Sequence, residues 1–209
     1  MAQASHHESD YEFPPIAHKA LVALGGNVAS HDGPPIKTLQ DSLTILAADS
    51  IKVEAVSRFY STPCFPAGAG ADYTNAAAIL STGLSCQNLL ARLHEIEQLF
   101  GRERLQRWGM RTLDLDLLAY DDLVCPDPET YLGWHDLAPE MQQMRAPEEL
   151  ILPHPRLHER AFVLVPLTDI APDWRHPVLG DSVRQMLARL DPADVAQVRP
   201  VGADVGAAK

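Results

Sequence analysis

Residues 112–120 read Thr-Leu-Asp-Leu-Asp-Leu-Leu-Ala-Tyr, and the alternation at their start constrains the fold more than any other stretch. A β-strand sends successive side chains to opposite faces. A strand over Thr112 to Tyr120 therefore gathers Thr112, Asp114 and Asp116 on one face and Leu113, Leu115 and Leu117 on the other. The leucine face can pack on a core while the carboxylates point together into a cleft. Just upstream, Arg102, Arg104, Arg107 and Arg111 put four guanidinium groups within ten residues. Adjacent carboxylates repel unless a cation lies between them. Mg²⁺ is a usual remedy and commonly arrives with phosphates, and the forked donors of arginine suit phosphate oxygens. The stretch 101–118 thus reads as a Mg²⁺-phosphate site. The plainer reading is a half-solvated strand beside a solvated arginine loop, which is common in antiparallel sheets. The stretch alone leaves both open.

Composition narrows the class. The chain has 209 residues, enough for one domain with a core of ordinary size. A net charge of −11 argues against a general nucleic-acid or membrane-surface binder. In so acidic a chain an arginine cluster reads as a specific anion site. No stretch approaches a membrane span, and the first twenty residues carry no apolar signal segment. Cys64, Cys86 and Cys125 form an odd set without metal spacing and read as free thiols of a reducing cytoplasm.

Taken in order, residues 1–18 are a polar leader, 19–192 a single domain, and 193–209 a small-residue tail. Lys19 to Leu24 is a buried strand entering a turn at Gly25-Gly26-Asn27. Ile36 to Ala48 is an amphipathic helix with Ile36, Leu39, Leu43, Leu46 and Ala47 inward. Ile51 to Tyr60 is a second strand, Ser61 to Asp72 a loop, and Tyr73 to Thr82 a strand paired with the previous one. Ser85 caps a helix running to about Phe100, with Leu89, Leu90, Leu93, Ile96 and Leu99 inward and Gly101 closing it. Cys125 to Leu150 reads as an insertion or long loop with at most a helical turn at Pro139 to Met144. Asp181 or Ser182 caps a last helix to Leu190.

Four stretches can then be read together: Ala23-Leu24-Gly25-Gly26-Asn27; Phe59 to Pro63 with Asp72 to Ala77; Gly101 to Leu118; and Pro153-His154-Pro155-Arg156-Leu157-His158-Glu159-Arg160-Ala161-Phe162. In this order they resemble the 6-hydroxymethyl-7,8-dihydropterin pyrophosphokinases of folate biosynthesis, over roughly Lys19 to Leu190. The resemblance implies an α/β (α+β) ferredoxin-like three-layer sandwich, with a mostly antiparallel sheet and helices on both faces. It implies transfer of pyrophosphate from ATP to the pterin hydroxymethyl group, with release of AMP; apart from the resemblance, a monomer is expected. By motif position Asp114 and Asp116 would bind two Mg²⁺ ions. Arg102, Arg111 and Arg160 would hold phosphates, His154 would contact the nucleotide, and Arg104 and Trp108 would ride on a mobile catalytic loop. Arg102 and Arg104, with the two aspartates, form the implied catalytic set. Glu97 and Leu117 join the ATP side. Thr62, Pro63, Phe65, Tyr73, Asn75 and Phe162 match the pterin side, with Phe162 as the stacking ring.

The chain also departs from that pattern. Met110 stands where the family has proline, and Gly26 where it has serine. Cys64 and Phe65 occupy a variable position. Cys125 to Leu150 is longer than in compact members; it could cover the nucleotide site, mediate contacts or do nothing. Two other functions compete: an ATP-binding regulatory module without turnover, and a Mg²⁺-dependent phosphohydrolase. Read singly, His154 could be a backbone-bonded loop histidine, Tyr73 a core tyrosine and Phe162 a core ring.

Overall fold

The structure is a computed structural model that describes residues 17–31, 33–48, 51–64, 70–101, 111–138, 141 and 144–202. Arg102, Arg104, Trp108, Met110 and Phe65 lie outside the described residues.

The chain builds β1 (His18–Gly26), α1 (Pro35–Ala48), β2 (Ile51–Val56), β3 (Tyr60–Thr62), β4 (Tyr73–Thr82), α2 (Cys86–Leu99) and β5 (Asp114–Tyr120). There follow α3 (Pro128–His135), a single 3₁₀ turn (Leu157–Glu159), α4 (Ala161–Ile170), α5 (Val183–Leu187), α6 (Pro192–Ala196) and β6 (Arg199–Pro200). All strand pairings are antiparallel, in the order β5-β1-β4-β3-β6, with β2 also on β4. β1 lies between β4 and β5, so Gly25 stands opposite Asn75 on one side and Asp114 on the other.

Helices cover both faces, as the three-layer expectation requires. On one face Leu39, Leu43 and Leu46 of α1 and Leu89, Leu93 and Ile96 of α2 pack against Ala20, Val22, Leu24, Leu113, Leu115 and Leu117. On the other, Leu157, Val163, Leu164, Leu167, Val183 and Met186 pack against Leu21, Ala77, Leu118 and Ala119. The leucine alternation of 113–117 is therefore a core face. Fully burying each such side chain contributes about 1.5–3 kcal/mol. The alternation then breaks: Leu117 pairs with Val22 and Ala119 with Leu21, leaving Leu118 as the extra residue of a bulge. The bulge puts Leu118 and Ala119 in the second core and returns Tyr120 to the first.

Several sequence expectations are corrected. Ile51 to Tyr60 is not one strand. The Ser57 N–H donates to the Ala77 carbonyl and the Ala77 N–H to Ser57 Oγ (2.9 Å each), but the Arg58 N–H and guanidinium turn to the Asp169 carboxylate on α4 (3.1, 3.1 and 2.8 Å), which ends the ladder before β3 begins. Leu99 is 68% exposed. Glu97 takes the inward position of that last turn, and two residues on, a helix has turned roughly 200°. Ala47 likewise faces out, while Thr38 and Ser42 are buried, with Ser42 donating to the Leu39 carbonyl at 2.7 Å. The 125–150 segment carries a capped helix, α3, whose Asp127 side chain accepts from the Thr130 N–H at 2.9 Å. The last predicted helix stops at Leu187 after a Ser182–Gln185 capping box. The tail adds α6 and an edge strand: Tyr60 and Ser61 of β3 pair with Pro200 and Arg199, and Val198 is buried beside Tyr60 and Ala161.

Candidate active site

The site is assembled across adjacent strands by the sheet register. Asp114 and Asp116 project from β5 on the face opposite Leu113, Leu115 and Leu117. Gly25 of β1 is level with Asp114, and Ala23 with Asp116. One strand further, Asn75 is level with Gly25, and its amide donates to Thr62 Oγ1 at 2.8 Å. At about 4.8 Å per strand, the carboxylate side and the Asn75–Thr62 side are roughly 10 Å apart. Between them lies a floor without side chains. Gly25 leaves that floor clear, since a Cβ on it would come within 3.2 Å of Asn75 Oδ1; Gly26 faces the other side, where a Cβ would come within 2.6 Å of the Thr112 carbonyl oxygen and 3.5 Å of Leu39 Cδ1.

Asn27 ties the pieces together. Its N–H and that of Val28 donate to the Arg111 carbonyl (2.9 and 3.2 Å), and its Oδ1 accepts from the Arg111 N–H at 2.9 Å. Its amide also donates to the Ala71 carbonyl at 3.3 Å. One buried residue thus joins the end of β1, the segment before β4 and the end of the arginine stretch. Sequence reasoning quoted Asn27 but gave it no role. The signal available was its place directly after Gly25-Gly26.

Two guanidinium groups meet the carboxylates. Arg111 Nη1 donates to Asp114 Oδ2. Burial works against the Arg111 charge, but Asp114 beside it raises the guanidinium above its ordinary value. Arg160 approaches Asp116 from the start of α4, with Nη1 to Oδ2 at 3.9 Å. Burial holds Arg160 below its ordinary value, against the pull of Asp116. Arg160 leaves α4 without a side-chain cap, so the positive end of the helix dipole adds to its charge.

The His-Pro-Arg segment is fastened to the bulge: the His154 N–H donates to the Leu118 carbonyl at 2.7 Å. Burial, and then the nearby Arg160, push His154 down to about 3, so its ring is neutral. Its Nδ1 accepts from the Arg156 N–H at 3.2 Å. The ring proton therefore sits on Nε2, which leaves a donor for a ligand.

The other predicted residues divide. Phe162 is 39% exposed with the Arg160 guanidinium 5.7 Å from its ring centre, so a purely core role is ruled out for it. Pro63 is exposed, and Tyr73 is half-buried, its phenol raised by burial against the opposing Arg111 charge. Glu97 and Leu117 are not at the ligand face. Leu117 is buried in the α2-side core. Glu97 is 1% exposed, and its Oε1 accepts from the Leu115 N–H at 2.7 Å. β5 is an edge strand, and Glu97 satisfies its outward N–H between the two aspartates. Its effect on the site runs through the strand.

An antiparallel sheet with helices on both faces, carrying paired carboxylates met by arginines, with the Asn75–Thr62 pair one strand beyond Gly25, defines a nucleotide-dependent transferase of ferredoxin-like fold. A triple mutant of Plasmodium falciparum HPPK-DHPS shares that fold, with a TM-score of 0.58 at 15% identity over 86% of this chain. This chain spans 45% of that longer one. The family described as 7,8-dihydro-6-hydroxymethylpterin-pyrophosphokinase (HPPK) matches residues 21–172, and the chain belongs to it. It is 39% identical over 199 residues to the 2-amino-4-hydroxy-6-hydroxymethyldihydropteridine pyrophosphokinase of Synechocystis sp., covering 95% of this chain and 89% of the relative. It is 36% identical over 181 residues to that of Methylorubrum extorquens, covering 86% of this chain and 98% of the relative.

Proposed function

We infer that this chain transfers the pyrophosphoryl group of ATP to the hydroxymethyl oxygen of 6-hydroxymethyl-7,8-dihydropterin, giving the pterin diphosphate and AMP for folate biosynthesis. The family match and the relatives support the activity. The observation that carries it to these residues is the register across β5, β1 and β4, with Asp114 and Asn75 on either side of Gly25.

The geometry supports the following roles. The pterin hydroxyl oxygen attacks the β-phosphorus of ATP, the bond from that phosphorus to the α,β-bridging oxygen breaks, and the hydroxyl proton goes to solvent. Such transfers need in-line positioning and cancellation of charge more than covalent help. The roughly 10 Å between Asn75 and Asp114 suits a ring at one end and a phosphate chain at the other. Asn75 and Thr62 would read the ring edge, and the exposed Phe162 would stack on its face. Arg160 and Arg111 would meet the phosphates, and neutral His154 would donate from Nε2 to the nucleotide.

Asp114 and Asp116 would hold Mg²⁺, two ions by the family resemblance. Among the described residues no group of three or more His, Cys, Asp or Glu forms a metal cage. Two carboxylates nevertheless suit Mg²⁺, which keeps waters and takes phosphate oxygens. Bound there, Mg²⁺ polarises phosphoryl oxygens and lowers the pKa of an attacking hydroxyl. Arg111 now occupies Asp114, so its guanidinium would turn from carboxylate to phosphate when nucleotide binds. The site is formed within one chain, and Cys64, Cys86 and Cys125 are free thiols; these support a monomer working in the cytoplasm.

The test is to incubate the protein with ATP, Mg²⁺ and the hydroxymethyl-dihydropterin and to follow AMP. AMP should appear in step with pterin diphosphate. No AMP, or equal AMP without pterin, would refute the reading.

A further inference from the structure

The 125–150 segment touches the nucleotide side of the molecule through aromatic rings. Its helix α3 has eight residues, fewer than a helix needs to stand alone in water. Tyr131 holds it down: the ring is 0% exposed and its hydroxyl lies 2.9 Å from His176 Nε2. His176 Nδ1 accepts from the Val178 and Leu179 N–H groups (3.2 Å each), so Nε2 carries the proton and donates to Tyr131. At the other end of α3, His135 stacks on His158 with ring centres 4.2 Å apart and planes 25° apart.

His158 belongs to the one-turn 3₁₀ element between His154 and Arg160. That turn is weakly held by its own backbone. The Glu159 N–H reaches the Arg156 carbonyl at only 3.5 Å, and the turn has no side-chain cap. Leu157 pins its inner side in the core. Its outer side is covered by the His135 ring. We propose that His135 and His158 are positioning residues for ATP, the stack being the contact through which the 125–150 segment sets the His154–Arg160 clamp. This rests on the assignment of that clamp to the nucleotide.

The stack also favours an uncharged His158 ring. His135 Nε2 and His158 Nδ1 are buried without a hydrogen-bond partner. Around His135 lie Asp136, 2.7 Å from Nδ1, the Tyr131 ring and His158. Around His158 lie His135, Glu159, which Arg156 engages, and Arg156 itself. Around His176 lie Tyr131, Trp174, Asp181, His158 and His135. Burial, and then His135, hold His158 below its ordinary value; burial, then His158 and His135, push His176 down to about 4. A histidine lowered in the folded form gives its full stabilisation above its unfolded value, near 6.5, and loses it as pH falls below that. Docking of α3 therefore weakens in mild acid.

The experiment compares the full chain with His135→Ala, which removes the ring, and His135→Phe, which keeps a ring in the stack. Affinity for the non-hydrolysable α,β-methylene analogue of ATP with Mg²⁺ is measured by calorimetry at pH 7.5 and 6.0. Amide exchange of residues 128–135 and kcat are followed alongside. At pH 7.5, His135→Ala should bind the analogue about five-fold more weakly, the loss expected of one aromatic pair. Its residues 128–135 should exchange faster, and its kcat at saturating ATP should be unchanged. His135→Phe should bind within about two-fold of the wild type at pH 7.5, and the wild type, through His158 and His176, should bind more weakly at pH 6.0. Equal losses for the two variants, or faster exchange in His135→Ala with unchanged affinity, would overturn the proposal. A wild type that binds no analogue would instead overturn the nucleotide assignment beneath it.

Discussion

The family's serine at position 26 can be put back, and the structure predicts that the chain will not accept it. A Cβ on Gly26 would lie 2.6 Å from the Thr112 carbonyl oxygen. A carbon and a carbonyl oxygen approach no closer than about 3.3 Å even in weak C–H···O contacts, so roughly 0.7 Å must be found by moving backbone. The obstructing atom belongs to the segment that runs from Arg111 into β5. That segment cannot give freely, because the Asn27 and Val28 N–H groups hold the Arg111 carbonyl. Overpacking of this kind costs about 1–3 kcal/mol. For a chain of this size that is a fall of roughly 2–12 °C in Tm. The variants are Gly26→Ala and Gly26→Ser, compared with wild type by thermal unfolding and by kcat/KM for ATP. Both should lose stability to a similar degree, because the Cβ is the obstacle and the hydroxyl adds little to it. The kcat/KM should fall as well, since Arg111 and Asp114 flank the displaced carbonyl. A Gly26→Ser protein as stable as wild type, or clearly more stable than Gly26→Ala, would refute the reasoning.

Asp116→Ala should reduce AMP formation by at least about a hundredfold, as for other groups that balance transition-state charge. Its Tm should stay near that of wild type, because the carboxylate is 39% exposed; near-normal turnover would sink the metal assignment. Tyr131→Phe should cost about 1–3 kcal/mol in urea unfolding, since it leaves the buried His176 donor without its acceptor; an unchanged midpoint would show that the bond does not hold α3. Asp169 accepts from Arg58 and from the Tyr60 hydroxyl (2.8 Å), and these bonds outweigh the opposing effect of burial and lower its carboxyl below the ordinary value. Its stabilisation is therefore present above the unfolded carboxyl value, near 4, and lost as pH falls through the folded one. Stability measured from pH 6 to 3 should fall less steeply in Asp169→Asn than in wild type. Parallel curves would contradict the assignment.

What was legible in the sequence follows a physical line. Period-two alternation and helical spacing record which side of an element is dry, so the core face of β5 and the inner stripe of α1 and α2 could be read directly. Breaks in elements could not. β2 ends because Arg58 leaves β4 for a carboxylate that comes 111 residues later, and no local pattern records so distant a partner. The bulge at Leu118 is invisible for the same reason, since its sign is a register shift against Leu21 and Val22. Motif positions gathered Asp114, Asp116, Arg111, Arg160 and Asn75, and these lie on neighbouring elements of the sheet and the start of α4. They misjudged Glu97 and Leu117, because a motif records that a residue belongs near a site without recording whether its side chain or the strand it supports faces the ligand. α3 escaped notice because it is short, proline-led and held by Tyr131 and two distant histidines; its own spacing carries little of the signal.

That division bears on how the site works. Among the described residues, the groups assigned to ATP sit on elements fixed by contacts distant in sequence: Arg111 by Asn27, β5 by Glu97, His154 by the Leu118 carbonyl, and the 157–159 turn by His135. Among the described residues assigned to the pterin, Thr62 sits on β3, Tyr73 and Asn75 on β4 and Phe162 on the first turn of α4, and β3 is flanked by β6. Gly25 is the meeting point, in register with Asn75 and Asp114 at once. A side chain there would press on Asn75 Oδ1 at 3.2 Å and stand in the path between hydroxyl and phosphate. The catalytic demand is for two substrates to meet in line over a rigid floor. A central strand ending in Gly25-Gly26-Asn27 supplies the clearance with Gly25 and the rigidity with its asparagine.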